Sequence, residues 1–309
     1  MALVEKIING FLRDCRLRDL TPMTIVNYKS NLTIFSSFLK TKHVRFSNVD
    51  YEVLRDFLGY LKNNRHDSMK RISNYFSALS SFFDYMVLEK KMVGNPVPPV
   101  RKRYLRHYKK FAPQGVRRAI SVEDMSMLVH SIIDPKYKAV AILFAKTGVR
   151  RGELLRIDLS DVDWKELSIT LKPCAKRSNR KVFFDDECAR ILRRWLERRN
   201  SLNIRGENPA LFISKKGTRL ERSQITKKIN MYAARVGIHN PRSKRLEDRF
   251  SPHYFRHWFT TWLLRNGMPR EYVKELRGDS RKDAIDIYNH IDYEDLRIQY
   301  LSSIPKLGV

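Results

Sequence analysis

The sequence predicts a mainly α-helical protein of two domains, the second carrying a small antiparallel β-sheet. Three observations carry that prediction. Apolar residues recur at spacings of three and four along residues 1–96. A stretch rich in proline and arginine then interrupts the pattern. Beyond it helical spacing resumes, broken by two short β-like runs that flank a basic turn.

In the first domain, residues 1–96, Thr21-Pro22 has the form of an N-cap followed by proline at the first helical position. Ile25, Tyr28, Leu32, Phe35 and Leu39 then define one apolar face. A second helix carries Ile72, Phe76, Leu79, Phe82, Phe83 and Met86 and ends before Gly94-Asn95-Pro96. This aromatic stripe reads as helical core rather than as a cofactor box. Pro96, Pro98 and Pro99 stop the helix, and residues 101–118 hold eight Lys or Arg with no acidic residue. So dense a like charge repels itself unless phosphates neutralise it. Residues 97–120 are therefore expected to be a linker crossing a nucleic-acid backbone. Arg101, Lys102, Arg103, Arg106, Lys109 and Lys110 are its candidate contacts, with Tyr104, Tyr108 and Phe111 interleaved.

Ser121-Val122-Glu123-Asp124 has capping-box form and opens the larger domain, residues 121–309. Leu167 to Lys172 and Asn179 to Phe184 are the β-like runs, and Pro173-Cys174-Ala175-Lys176-Arg177-Ser178 between them predicts a hairpin. Ala210 to Ser214 is a candidate third strand. Helical patterns fill most of residues 222–309.

Composition narrows the function. The 309 residues include 61 Lys and Arg against 33 Asp and Glu, a formal charge of +28 with a sequence pI near 10.2. That excess steers a protein toward a polyanion, DNA or RNA first and an anionic membrane surface second. An apolar share of 42% argues against wholesale disorder. The longest apolar run, Ala139 to Ala145, is far short of the ~20 residues that span a bilayer. No basic start followed by a long apolar stretch opens the sequence, so the protein is expected in the cytoplasm, with the nucleoid. Cys15, Cys174 and Cys188 contain no CxxC pair, which predicts free thiols rather than disulfides or a zinc site.

Three segments of the second domain could carry chemistry: Thr147-Gly148-Val149-Arg150-Arg151-Gly152-Glu153-Leu154, Ser251-Pro252-His253-Tyr254-Phe255-Arg256-His257, and Leu276-Arg277-Gly278-Asp279 followed by Ile287-Tyr288-Asn289-His290. Each has a bland account alone. Arg150 and Glu153 could be a surface pair three apart. His253 and His257 have metal-ligand spacing on a helix, but neither the intervening Glu of the zincin pattern nor an obvious third ligand accompanies them, so no metal is expected.

Together, in this order and spacing, TGVRRGEL, SPHYFRHWFTTWLLRNG, a glycine turn and IYNHI resemble the catalytic domain of tyrosine recombinases. That family's usual forms are TGLRxSEL, HxLRH, LGH and a terminal YTH-like motif. TIVNYKSNLTIFSSFL and SALSSFFDYMVLEKKMVGNP resemble its helical DNA-clamping domain, so the likeness covers nearly the whole chain. KRSNR in the basic turn is similar to archaeal and viral members.

The resemblance implies a site-specific recombinase that needs no metal, cofactor or ATP. Arg150 and Arg256 match the family's two phosphate-binding arginines, and Glu153 would orient Arg150 from behind. His253 matches the position that contacts the phosphate and assists proton transfer. A hairpin lysine protonates the departing 5′ oxygen in the family. Lys176, beside Arg177, is the choice here and Lys172 the alternative. Tyr288 matches the nucleophile, forming a 3′-phosphotyrosine. Where the family has His or Trp after the glycine, this chain has Asp279, which cannot donate to a phosphate while ionised. Asp279 is expected to turn away and brace a neighbour such as Arg277, with a protonated or weakened replacement as the alternative. Family members clamp double-stranded DNA between two domains and act as tetramers joined through the final helix. The same is expected here, with a monomer when free. A non-catalytic DNA-binding protein of this fold and a type IB topoisomerase-like relaxing enzyme are the competing expectations.

Overall fold

The computed structural model describes residues 2–105, 120–173, 180–202, 208–243, 245, 248–279 and 291–309. The chain divides into two compact units, Met1–Gln114 and Gly115–Val309.

The first unit is helical, with helices Ala2–Leu17, Pro22–Thr41, Tyr51–Asn63 and Met69–Leu88. Thr21, Asp50 and Ser68 stand in extended backbone ahead of three of them. Each side chain accepts a hydrogen bond from the N–H three residues on, satisfying a donor the helix leaves unpaired. The apolar spacing meets in a core where Phe11, Phe35, Phe57, Phe76, Phe82 and Phe83 are fully buried. Rings such as Phe35 and Phe57, with centroids 4.8 Å apart, pack edge to face as their quadrupoles prefer.

The expected linker does not begin at residue 97. Val97–Val100 forms a helical turn continued by a π-turn, Arg101–Leu105, and Val97, Val100 and Leu105 are buried in the first unit's core. Pro98 lies in the first turn, where a missing N–H costs nothing, so these prolines begin an element rather than only ending one. Arg101 donates to Ser77 Oγ at 3.2 Å, and Lys102 and Arg103 are exposed. Arg106, Lys109 and Lys110 lie outside the described residues.

The second unit is built around helix Pro135–Thr147. Every residue from Ala139 to Ala145 is fully buried, so the longest apolar run of the sequence is the centre of this core. Helices Asp186–Asn200 and Pro252–Arg265 pack against it. Three antiparallel strands, β1 (Val162–Asp163), β2 (Ser168–Leu171) and β3 (Arg180–Phe183), form one sheet in that order. Strands β2 and β3 are the expected hairpin, with Ile169 opposite Val182 and Leu171 opposite Arg180. The third strand is Val162–Asp163, not Ala210 to Ser214. That later run is buried at every position and pairs through isolated bridges, Asp158 to Ala210 and Ile213 to Arg219, rather than as a strand of the sheet. Among the described residues no helix is long and apolar enough to cross a membrane. Cys15 and Cys188 are free, buried thiols.

Helix Tyr293–Ser303 and the residues after it fold onto this same unit. Leu296, Tyr300, Ile304 and Leu307 are buried, and Tyr300 Oη donates to the Lys146 carbonyl at 2.8 Å. The Lys146 ammonium, fully buried, donates to Asp185 and Glu187 at 2.7 Å each and to the Pro305 carbonyl at 2.6 Å, using its three protons. Glu187 in turn accepts from the backbone N–H groups of Leu307 and Gly308 at 2.9 and 2.6 Å. Burial would raise the Glu187 carboxyl, but hydrogen bonding to Lys146 and Leu307 pulls it below the usual range. Tyr293, Ile298 and Leu301 remain exposed on the helix.

Candidate active site

The central helix ends at Thr147 because Gly148 turns left-handed, at φ +58°. A side chain there would place its Cβ 2.4 Å from the Phe259 ring, so only glycine fits both the backbone and the space. Two residues on, Arg150 starts the short helix Arg151–Leu154, and its own N–H donates to Glu153 Oε2 at 2.7 Å. The turn aims Arg150 at helix Arg270–Arg277. Its Nη1 donates to the Arg277 carbonyl at 3.0 Å and to Glu153 Oε1 at 3.3 Å.

Arg256 approaches the same point from helix Pro252–Arg265, in which Phe255, Trp258, Phe259 and Leu263 face the core. It is 4% exposed. Nη1 donates to the Gly148 carbonyl at 2.8 Å and Nη2 to the Arg277 carbonyl at 2.7 Å. Helix Arg270–Arg277 is stopped by left-handed Gly278, and a helix end leaves carbonyls unpaired with partial negative charge. Both arginines donate to one of them, the Arg277 carbonyl, so this helix terminus holds the two guanidiniums side by side.

Behind them stands Arg180, at the foot of β3 and opposite the end of β2. Its Nη1 and Nη2 each donate to a different oxygen of Glu153 at 2.9 Å, and its Nε donates to the Leu276 carbonyl at 3.1 Å. Gly278 lets it in, because a Cβ there would lie 2.6 Å from Arg180 Nη1. Burial alone would raise the Glu153 carboxyl. Hydrogen bonding and charge from Arg180, then Arg150, override it and hold the group down at about 2. Glu153 is thus an ionised clamp between Arg150 and the hairpin. In the sequence Arg180 is one basic residue among many. The only signal that could have found it is its place just past the hairpin turn, on a strand that ends at the site.

Asp279 does not turn away. Its Oδ1 accepts from Arg256 Nη2 at 3.2 Å and Arg150 Nη2 at 3.4 Å. Its Oδ2 lies 3.0 Å from Arg277 Nε, close enough for an ion pair but not aligned as a hydrogen bond, so this buried N–H has no hydrogen-bond acceptor. The expected pairing with Arg277 is present, but the carboxylate also bridges the two arginines. Burial, followed by the charges of Arg150 and Arg277, pulls Arg256 down to about 9, with Asp279 opposing the shift. An arginine stays charged even so, and the direction describes a buried site crowded with positive charge, suited to an anion.

His253 lies one helical turn before Arg256, exposed, with its ring against that of His257 at 4.6 Å between centroids. It lines a cavity of about 570 Å³ together with His239, Arg249 and Ser251. Lys172 is paired with Asp158 and lies 3.3 Å from Asp161, and hydrogen bonding to Asp158 raises its ammonium above the usual lysine range. Lys176, Arg177 and Tyr288 lie outside the described residues. Among the described residues no group of three His, Cys, Asp or Glu side chains is placed to hold a metal ion.

Comparison with known proteins fits this geometry. The profile of the phage integrase family matches residues 120–295, and that of the phage integrase N-terminal SAM-like domain matches residues 7–91. Tyrosine recombinase XerC of Anoxybacillus flavithermus is 26% identical over 99% of this chain and 100% of its own. XerC of Herpetosiphon aurantiacus is 28% identical over 92% of this chain and 89% of its own. Among solved structures, the Tn1549 transposon integrase in complex with circular intermediate DNA matches with a TM-score of 0.68 at 16% identity, covering 95% and 98% of the two chains. The XerH site-specific recombinase bound to difH substrate matches with a TM-score of 0.63 at 21% identity, covering 93% and 80%. At such identities the structures speak for the fold.

Proposed function

The chain belongs to the phage integrase family, and on that premise we propose that it is a site-specific recombinase that cuts and rejoins double-stranded DNA through Tyr288. The observation that carries this reading is the pair of guanidiniums, Arg150 and Arg256, that meet on a single carboxylate oxygen. Attack on a phosphodiester builds charge on the non-bridging oxygens as phosphorus becomes five-coordinate. Two preorganised guanidiniums in a poorly solvated site stabilise that charge and need no reorganisation when it develops.

In the proposed step the Tyr288 oxygen bonds to phosphorus and the bond to the 5′ oxygen breaks. His253 takes part in moving the phenol proton, and Lys176 gives a proton to the departing 5′ oxygen. The 3′-phosphotyrosine keeps the bond energy, so a 5′ hydroxyl from another duplex can reverse the step onto a new partner. Lys172 is the weaker choice of lysine, because Asp158 and Asp161 hold it. Glu153 and Arg180 act on Arg150 from behind. Arg101, Lys102, Arg103, Arg106, Lys109, Lys110 and Arg177 supply phosphate contacts, which position the duplex without reading its sequence. Four copies assemble on paired sites. The exposed Tyr293, Ile298 and Leu301 of the last helix support a contact there, since its other side is already buried in the same chain. The reaction takes place where the DNA is, in the cytoplasm.

The test compares wild type with Tyr288→Phe on supercoiled plasmid carrying DNA from beside the gene, in the absence of magnesium and ATP. Reactions stopped with SDS are probed for DNA covalently joined to protein. Adduct in the wild type alone is expected. Adduct in both would move the nucleophile to another tyrosine, and adduct in neither, despite tight binding, would remove the catalytic reading. Strand transfer between two duplexes separates a recombinase from an enzyme that only relaxes supercoils.

A further inference from the structure

We infer that Asp279 is a resident counter-anion of the site: in the DNA-free protein its carboxylate takes the place between Arg150 and Arg256 where a DNA phosphate binds, and the phosphate displaces it. The inference rests on the reading of the arginine pair as the phosphate site.

On each arginine it is Nη2 that meets Asp279 Oδ1, at 3.4 Å for Arg150 and 3.2 Å for Arg256. The Nη1 groups are committed elsewhere, to Glu153, the Arg277 carbonyl and the Gly148 carbonyl. Asp279 Oδ1 is thus the acceptor that the two Nη2 groups share; Arg256 Nη2 also donates to the Arg277 carbonyl at 2.7 Å, which leaves one of its two protons for the carboxylate. A carboxylate and a phosphodiester offer the same thing to such a fork, two anionic oxygens about as far apart as two guanidinium N–H groups. Both cannot accept the same N–H, and two anions in contact repel.

The surroundings favour a carboxylate that can leave. Asp279 is about one-third exposed, whereas Glu153, which pairs with the same arginine from behind, is 4% exposed. Its backbone N–H is tied to the Lys274 carbonyl at 3.2 Å, so the side chain can swing while the chain stays in place. Four guanidiniums, those of Arg150, Arg180, Arg256 and Arg277, gather around two carboxylates, Glu153 and Asp279. Asp279 is the carboxylate paired with the buried Arg256, and its charge favours the cationic form against burial and the neighbouring arginines. A bracing carboxylate and a competing one differ in sign. Removing a brace loosens the arginines and weakens phosphate binding, whereas removing a competitor strengthens it.

The test measures binding of inorganic phosphate to the full-length, DNA-free protein by isothermal titration calorimetry. Asp279→Asn keeps the shape and loses the charge, and Asp279→Ser is a second variant should the first fold poorly, with thermal unfolding checked for both. Each is expected to bind phosphate about tenfold more tightly than wild type, and Arg150→Lys added to either is expected to abolish the gain. Variants that bind phosphate no better than wild type, while Arg150→Lys still weakens wild-type binding, would overturn the inference and leave the phosphate-site reading intact. A gain that survives Arg150→Lys would also overturn it, because the anion would then bind elsewhere. Phosphate binding indifferent to Arg150→Lys in every protein would remove the site reading itself.

Discussion

Replacing Arg180 by methionine should damage the site without touching any group proposed to meet DNA. The side chain is 5% exposed and makes three hydrogen bonds, two to Glu153 at 2.9 Å and one to the Leu276 carbonyl at 3.1 Å. Methionine fills much of the volume and supplies none of these bonds. Glu153 is then a buried carboxylate that has lost its two-pronged partner, and the Leu276 carbonyl loses the Arg180 donor. Breaking a buried pair in this way costs about 3–5 kcal/mol, most of it from the charge left behind. Neutralising that charge as well, in Glu153→Gln with Arg180→Met, should recover about 1–3 kcal/mol, the usual coupling of residues in contact. All four tryptophans, Trp164, Trp195, Trp258 and Trp262, belong to the second unit, so their fluorescence in a urea titration follows that unit alone. Covalent adduct formation, measured below the unfolding transition, should fall by about tenfold or more as Arg150 loses its fixed bearing. A loss of stability under about 1 kcal/mol with no recovery in the double variant would refute this reasoning. So would unaltered adduct formation in a destabilised protein, which would make Arg180 a prop for the fold and nothing more.

Three further outcomes are expected. The Glu153 carboxyl is depressed to about 2, so the stability it contributes is fully present above its unfolded value near 4.5 and is lost as pH falls from there toward 2. That contribution is on the order of 3 kcal/mol, and the melting temperature of wild type should drop across this window more steeply than that of Glu153→Gln. Gly148→Ala combines a positive φ with a Cβ 2.4 Å from Phe259 and should destabilise the second unit by about 2–4 kcal/mol in the same urea titration. Because Leu296 and Tyr300 are buried in their own unit, removing the last helix would uncover the core; Ile298→Asp with Leu301→Asp changes only exposed positions. That double variant should keep wild-type melting and binding to a single site by gel shift while losing paired-site complexes, and unimpaired pairing would remove this helix from the assembly.

Much of the fold was legible because it rests on local rules. Thr21 and Ser121 cap the helices their sequences announce, and Leu32, Phe35 and Leu39 are buried as their spacing requires. The β2–β3 register pairs the two runs that the hairpin pattern set side by side. What was not legible depends on partners distant in sequence. Val162–Asp163 is too short for a side-chain pattern, and only backbone pairing with β2 makes it a strand. Leu211, Phe212 and Ile213 look like a strand because burial on all sides gives the same apolar run. In the site, Arg150, Glu153 and Arg256 were legible through the order of their motifs, and the structure brings them together. Asp279 was misjudged in its direction, because repulsion from an incoming phosphate was weighed without the attraction of the arginines already there. Arg180 was missed because Glu153 lies 27 residues from it, and no spacing rule reaches that far.

The enclosure of Lys146 has a consequence for the timing of synthesis. Its ammonium is satisfied only when Pro305 arrives, 159 residues later, and Glu187 waits 120 residues for the Leu307 amide. A ribosome adds ~5–20 residues per second, so several seconds separate the making of the central helix from the making of the segment that closes over it. The first unit has no such debt to later sequence in its core and is complete by residue 114. The nascent protein thus acquires a finished helical unit well before the second unit can close. Arg150, four residues from Lys146, reaches its working frame only after translation has passed the segment that buries that lysine.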